Sequence, residues 1–289
     1  MRIDGILNKK RTLSFEVFPP KRAEVETEKL FDTIKELKKL NPDFISVTYG
    51  ASGSNARNSA EIAGFIKSVG IEPLAHITGG PSTPQDIDNV AAELKKLGVE
   101  NVLALRGDRP ADSAVEYCKH FAHATDLQEY LGKYDFTLGA ACYPEGHIES
   151  QSLYADLKNL KKKEEAGARF FISQIFYDNS YYYRLVNEAV KLGITAPIIP
   201  GIMPITNPKN IARIKNMCGS TIPIELRNML EVYADNPTVF REVGLNFAVY
   251  QIMDLIAKGA PGVHLYIMNR ADTAVEIYQR LNGFFNELF

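Results

Sequence analysis

Leu13, Phe15 and Val17 alternate with Ser14, Glu16 and Phe18, so one face of an extended segment is apolar and the other carries a carboxylate. Pro19-Pro20 ends that strand, because neither ring offers an amide hydrogen to a sheet. A helical spacing follows over Val25 to Leu40, with Leu30, Ile34, Leu37 and Leu40 apolar among charges, until Asn41-Pro42-Asp43 breaks it. The same change of period repeats along the chain. Phe44 to Tyr49, Pro73 to Thr78, Asn101 to Leu105 and Phe136 to Tyr143 read as strands two to five. Arg169 to Phe176, Ala196 to Met203 and Gly262 to Met268 read as strands six to eight. Helices are expected over about Ser59 to Ser68, from Thr83-Pro84 (a cap and a first-turn proline), and within Ala111 to Gly132. Others cover Ser150 to Ala166, Asn179 to Leu192, and a stretch from Pro208 to Met217. Two more, about Ile224 to Leu230 and Pro237 to Lys258, precede the eighth strand, and Ala271 to Phe285 closes the chain.

Short strands alternating with helices, with no linker-like stretch, predict an α/β chain: a single (β/α)8 TIM barrel over 1–289, with extra helices before the eighth strand. A doubly wound sheet is the second possibility, weakened because no strand runs into G-x-G-x-x-G. At 289 residues, 45 % hydrophobic and 24 % charged, the chain has ample material for one large barrel core. A net charge of −2 indicates neither a nucleic-acid footprint nor a polybasic membrane patch. Cys118, Cys142 and Cys218 form no CxxC pattern, which argues against a disulfide framework or a zinc site and fits a reducing cytoplasm. With no apolar signal core and no run of transmembrane length, a cytoplasmic protein is expected.

In such a barrel the chemistry gathers at the carboxyl ends of the strands. Those ends supply Glu16, Thr48-Tyr49, His76 and Thr78, Arg106-Gly107-Asp108, Tyr143 with His147, Gln174, and Tyr266 with Arg270. Each has a plain structural explanation. Glu16 serves equally as half of an ion pair, His76 as a hydrogen-bonded core histidine, and Asp108 as a turn cap. Hydrogen-bonding or charged groups at so many ends favour a site; strand seven supplies none and reads as packing. On the helix after strand five, Asp156, Asn159 and Lys163 share one face. An acid, an amide and a base in line suit a ribose and a phosphate, and a solvated surface equally well.

The motifs SFEVFPPK (14–21), FISVTYGA (44–51), LALRGD (103–108) and YPEGH (143–147) occur in order along the chain. They are followed by ADLKNLKKK (155–163), SQIFYD (173–178), PGIMPITN (200–207) and HLYIMNRAD (264–272). As an ordered set they resemble the bacterial 5,10-methylenetetrahydrofolate reductases, flavin-dependent barrel enzymes. The resemblance implies a non-covalent flavin, FAD or FMN, reduced by NADH or NADPH, which leaves so that folate can receive the hydride and become 5-methyltetrahydrofolate. Matched by motif, Glu16 corresponds to the general acid, and Asp108 lies close to the flavin ring. Thr48, His76, Leu105, Arg106, Gly107, Ala124, Tyr143, His147, Asp156, Asn159, Lys162 and Lys163 correspond to flavin contacts. Gln174, Tyr266 and Arg270 correspond to folate contacts.

Three positions depart from the family pattern. His123 stands where a tyrosine often lies by the adenosine, Ile214 where an aromatic residue can cover the substrate, and Asn210 where a glutamine lies near folate. They leave FAD versus FMN, and the electron donor, open. A homo-oligomer is expected, and some relatives take electrons through a second subunit, so a flavin-binding subunit fed by a partner is the non-enzyme alternative. A Schiff-base lyase or aldolase needs a lysine at a strand end, and no strand supplies one. Opening the folate's methylene bridge requires a proton on the departing nitrogen, which a desolvated carboxylic acid can give. The hydride must come from a cofactor.

Overall fold

The computed structural model describes residues 1–20, 25–49, 56–108, 117–209, 211, 214 and 219–289. Lys21 and Asn210 lie outside the described residues, as does most of the stretch expected to be helical from Pro208 to Met217.

Among the described residues, nine parallel strands form one sheet: β1 (Thr12–Val17), β2 (Phe44–Val47), β3 (Glu72–Thr78), β4 (Asn101–Leu105), β5 (Thr137–Cys142), β6 (Ala168–Ser173), β7 (Ile198–Ile199), β8 (Gly201–Ile202) and β9 (Gly262–Tyr266). Their order is β7-β6-β5-β4-β3-β2-β1-β9-β8, and β7 and β8 are separated only by Pro200. The single seventh strand expected from the sequence is therefore two dipeptides, one paired with β6 and the other with β9. Pro200 has no amide hydrogen to continue a ladder, but its carbonyl accepts from His264 N at 3.0 Å. The split strand thus completes the (β/α)8 barrel circuit.

Alternation assigns each strand two faces. Leu13, Phe15 and Val17 belong to the large core between strands and helices, together with Ile45, Val47, Ile77, Val102 and Leu265. A smaller cluster of Phe44, Leu74, Leu103, Phe170, Ile172 and Ile199 fills the barrel interior. Ile3 seals the same cluster from below, on a helix α1 (Ile3–Leu7) that periodicity does not reveal. Its Ile3 amide donates to Asn101 Oδ1 at 2.9 Å, so tertiary contact, rather than propensity, holds this single turn in place.

Helices α2 (Val25–Lys38), α3 (Ala56–Ser68), α4 (Pro84–Lys96), α5 (Ala124–Leu131), α6 (Leu153–Glu165) and α7 (Asn179–Lys191) surround the barrel. Thr83 caps α4 in a capping box with Asp86, and Pro84 opens it, as expected. The additional helices are α8 (Ile224–Val232) and α9 (Pro237–Ala257). The closing helix is broken into α10 (Ala271–Arg280) and α11 (Asn282–Leu288) at buried Leu281, where Asn282 and Gly283 are poor helix formers.

α8 and α9 place Leu226, Leu230 and Phe240 against Ile175, Ile205 and Ile214, a separate apolar cluster. The close approach depends on Gly244, where a Cβ would fall 1.9 Å from the Ile205 carbonyl oxygen. Gly244→Ala is accordingly expected to push α9 off this segment and cost about 1–3 kcal/mol in a denaturation measurement. Gly5→Ala, where a Cβ meets nothing within 4 Å, is the control and is expected to leave stability level or slightly raised.

Candidate active site

The inner-facing residues at the carboxyl ends line a cavity of about 370 Å³. At its inner end Glu16 is buried, with Oε2 3.6 Å from His76 Nε2, 4.0 Å from His264 Nε2 and 3.4 Å from Ser46 Oγ. Burial lowers the His76 pKa to about 4, with Glu16 opposing the shift and His264 adding to it, so this imidazole is neutral at physiological pH. Glu16 has no lysine or arginine within 4.0 Å among the described residues. Among the described residues, the lysine or arginine that a structural ion pair requires is missing from its surroundings. A carboxyl group bounded by two imidazoles and a hydroxyl at the inner end of a cavity is instead placed to hold and release a proton.

Thr48, His76, Leu105, Arg106, Gly107, Asp108, Tyr143, His147, Gln174 and Tyr266 line this cavity with Glu16. Gly107 has φ +84°, and a Cβ there would lie 3.1 Å from Thr78, so glycine keeps the turn after β4 flat against β3. Asp108 stands exposed at the rim. Gln174 Oε1 accepts from the Ile175 amide at 2.9 Å, leaving its NH2 as the end that can meet a ligand. Tyr266 is tied down, its hydroxyl donating to the Ser173 carbonyl at 2.9 Å.

A second cavity of about 290 Å³ shares Leu105, Arg106, Ala141, Tyr143 and His147 with the first, and is lined also by Ala124, Asp156, Asn159, Lys162 and Lys163. The helical face predicted from spacing does look into it, with one difference. The Asp156 carboxylate already accepts from His147 N at 3.2 Å and from Ser150 Oγ at 3.1 Å, so it pins the loop after β5. Lys163 Nζ donates to the Ala141 carbonyl at 2.8 Å; burial lowers its pKa, against the pull of Asp156. Between the two cavities Arg106 pairs with Glu149 at 2.6 Å. His147 Nδ1 accepts from the Glu149 amide at 3.1 Å, which leaves the ring hydrogen on Nε2.

Arg270 is not brought to the main cavity. It pairs with Asp272 at 2.9 Å and lines a smaller hollow of about 220 Å³, which adjoins the main one through Met203, Tyr266 and Met268. Of the departing positions, His123 lines the second cavity and buried Ile214 the first. Three residues next to Glu16 escape a reading confined to strand ends: Ser14, Ser46 and His264, all fully buried. The signal was the alternation itself, since each lies two residues before a strand-end candidate on the same face (Glu16, Thr48 and Tyr266).

These surroundings fit a flavin. Thr78 Oγ1 and His76 Nε2 are buried without a hydrogen-bond partner beside the main cavity, the turn at Gly107 is flat, and a second cavity lined by Lys162 and Lys163 adjoins it. Fold and site together define a barrel enzyme acting on bound small molecules at the carboxyl mouth. A family model described as methylenetetrahydrofolate reductase matches residues 2–282. The chain belongs to this family of oxidoreductases, which reduce methylenetetrahydrofolate to methyltetrahydrofolate.

An Escherichia coli (strain K12) 5,10-methylenetetrahydrofolate reductase is 36 % identical over 271 residues, covering 93 % of this chain and 90 % of that protein. Methylenetetrahydrofolate reductase (NADH) 1 of Arabidopsis thaliana is 38 % identical over 283 residues, and there the chain spans 48 % of the longer plant protein. Among solved structures, a Clostridium thermocellum protein described as binding two copies of 5-methyl-5,6,7,8-tetrahydrofolic acid superposes with a TM-score of 0.69. At 16 % identity, with 97 % of each chain covered, it shares the fold. No helix among the described residues is long and apolar enough to cross a membrane.

Proposed function

We propose that this chain by itself reduces 5,10-methylenetetrahydrofolate to 5-methyltetrahydrofolate, with FAD held across the two joined cavities and Glu16 as proton donor. The observation that carries the reading is Glu16 at the inner end of the main cavity, with no lysine or arginine within 4.0 Å among the described residues and beside a neutral imidazole. Flavin, when bound, supplies the hydride after accepting it from a reduced nicotinamide. The second cavity supports FAD over FMN, because it extends the first toward Asn159, Lys162 and Lys163 with room for more than a flavin ring. The name of the Arabidopsis relative supports NADH as the donor.

The rest is done by side chains of this chain. Gln174 and Tyr266 orient the folate on the wall beyond Glu16, and the protein description of the Clostridium neighbour supports folate as a ligand for such a barrel. Glu16 transfers its proton to the departing folate nitrogen, the N–CH2 bond breaks, and an iminium carbon is exposed to hydride. Asp108 stabilises the positive charge that develops.

Two variants test these assignments separately. Lys163→Ala is expected to weaken FAD binding about tenfold through loss of a charge-assisted partner. Equilibrium titration of the flavin-free protein reads this directly, and an unchanged affinity removes Lys163 from the phosphate site. Asp108→Asn is expected to keep flavin, raise its midpoint potential, and slow folate turnover, because an anion near the ring disfavours the reduced, anionic form. Potential and turnover both unchanged leave Asp108 as a loop cap.

A further inference from the structure

We propose that Asn269 is a positioning residue: it clamps the peptide groups of Phe18, which fixes the end of β1 and with it the Glu16 carboxyl group. The inference rests on the reading of Glu16 as proton donor and extends it to what holds that donor in place. The Phe18 amide donates to Asn269 Oδ1 at 2.8 Å, and Asn269 Nδ2 donates to the Phe18 carbonyl at 2.8 Å. A backbone N–H can only donate and a backbone carbonyl can only accept. The pair of bonds therefore admits one orientation of the side-chain amide, and no protonation state enters into it.

β1 pairs with β9 only as far as Glu16 beside Tyr266. On its other side the ladder runs on, since the Val17 carbonyl accepts from Thr48 N at 3.1 Å. Beyond Tyr266 the chain turns off through two successive left-handed residues, Met268 at φ +52° and Asn269 at φ +58°. Arg270 N closes this turn on the Ile267 carbonyl at 3.0 Å. Left-handed residues other than glycine are uncommon and persist where their surroundings hold them. The turn leaves Phe18 without a strand residue beside it on the β9 side, and Pro19 has no amide hydrogen to extend the ladder. The Asn269 amide takes the place of that missing residue, giving one bond and accepting the other.

The clamp matters because the contacts of the carboxyl group itself are long. Glu16 Oε2 lies 3.4 Å from Ser46 Oγ, 3.6 Å from His76 Nε2 and 4.0 Å from His264 Nε2. None of these is short enough to be a strong hydrogen bond. The carboxyl group is therefore placed by the backbone that carries it, and Asn269 grips that backbone two residues further on. Phe18 and Met268, on the two sides of the clamp, line the main cavity with Glu16, so the same bonds join two of its walls.

The test is a double-mutant cycle on the oxidative half-reaction, measured with pre-reduced, flavin-loaded protein over a range of methylenetetrahydrofolate concentrations. Glycine accepts a left-handed backbone, so Asn269→Gly keeps the turn and removes the clamp. At saturating folate it is expected to be slower than wild type by about tenfold, because a misplaced proton donor transfers poorly. Flavin content, reduction by NADH and the folate concentration at half-saturation should stay near wild type. In Glu16→Gln, which has no proton to place, the same change should slow the residual reaction by less than about twofold. If Asn269→Gly does not fold, Asn269→Asp carries the same cycle: it tolerates the left-handed turn and keeps an acceptor for the Phe18 amide, but loses the donor. No slowing, equal slowing in both backgrounds, or equal slowing of both half-reactions overturns the proposal. So does a loss that saturating folate abolishes, which would put the effect on the neighbouring Arg270. If Glu16→Gln alone reduces folate at the wild-type rate, the proton-donor reading itself has failed.

Discussion

Glu16→Gln is expected to slow oxidation of the reduced protein by methylenetetrahydrofolate about 10²–10⁴-fold. Folding, flavin content and reduction by NADH should stay near wild type. The expectation follows from what surrounds the carboxyl group. Glu16 is buried at the inner end of the cavity, and its ionisable neighbours within 4.0 Å are His76 and His264. Glutamine fills the same volume and keeps a hydrogen-bonding oxygen, but it has no proton to give. Removing one half of a buried ion pair ordinarily costs about 3–5 kcal/mol, and with no lysine or arginine beside Glu16 among the described residues no such loss is expected here. Stopped-flow traces of the two half-reactions, with a thermal melt beside them, decide the matter. Equal slowing of both halves and a large drop in melting temperature return Glu16 to a structural role.

His76 gives the second large effect, in stability instead of rate. Its pKa is lowered from 6.5 to about 4, chiefly by burial. Below about pH 6.5 the unfolded chain takes up a proton that the folded chain refuses. Stability is therefore fully present above pH 6.5 and is lost as the pH falls toward 4, to a total of about 3 kcal/mol from this residue. His76→Gln should lose less stability over the same interval, by about that amount. Chemical denaturation from about pH 7 to about pH 4 compares the two proteins. Parallel stability curves for wild type and variant contradict the assignment.

Much of this arrangement can be read from residue order. Glu16 opposite Leu13, Phe15 and Val17, with Pro19-Pro20 just beyond, fixes both the face and the end of the first strand, and the burial agrees. Tyr143, Asp156, Asn159 and Lys163 likewise converge as helical and strand periods require. The rest depends on contacts that no local period carries. The run Ile198 to Ile202 has no polar position to break its apolar pattern, so the exchange of partners shows only in Pro200, which a strand reading of the whole run passes over. α1 is too short for a period and is held by Asn101, a residue far along the chain. Asp156 is engaged by the backbone of the loop after β5, a partner that i, i+3 spacing cannot show. Ser14, Ser46 and His264 sit one layer below the strand ends, where small or aromatic polar residues resemble ordinary core filling until their mutual distances are known.

The most direct test of the central claim is an anaerobic two-step mixing of the flavin-loaded wild-type protein. NADH should bleach the flavin absorbance with no second protein present, and methylenetetrahydrofolate should then restore it as 5-methyltetrahydrofolate forms in equal amount. A protein that NADH bleaches but methylenetetrahydrofolate leaves reduced would contradict the account.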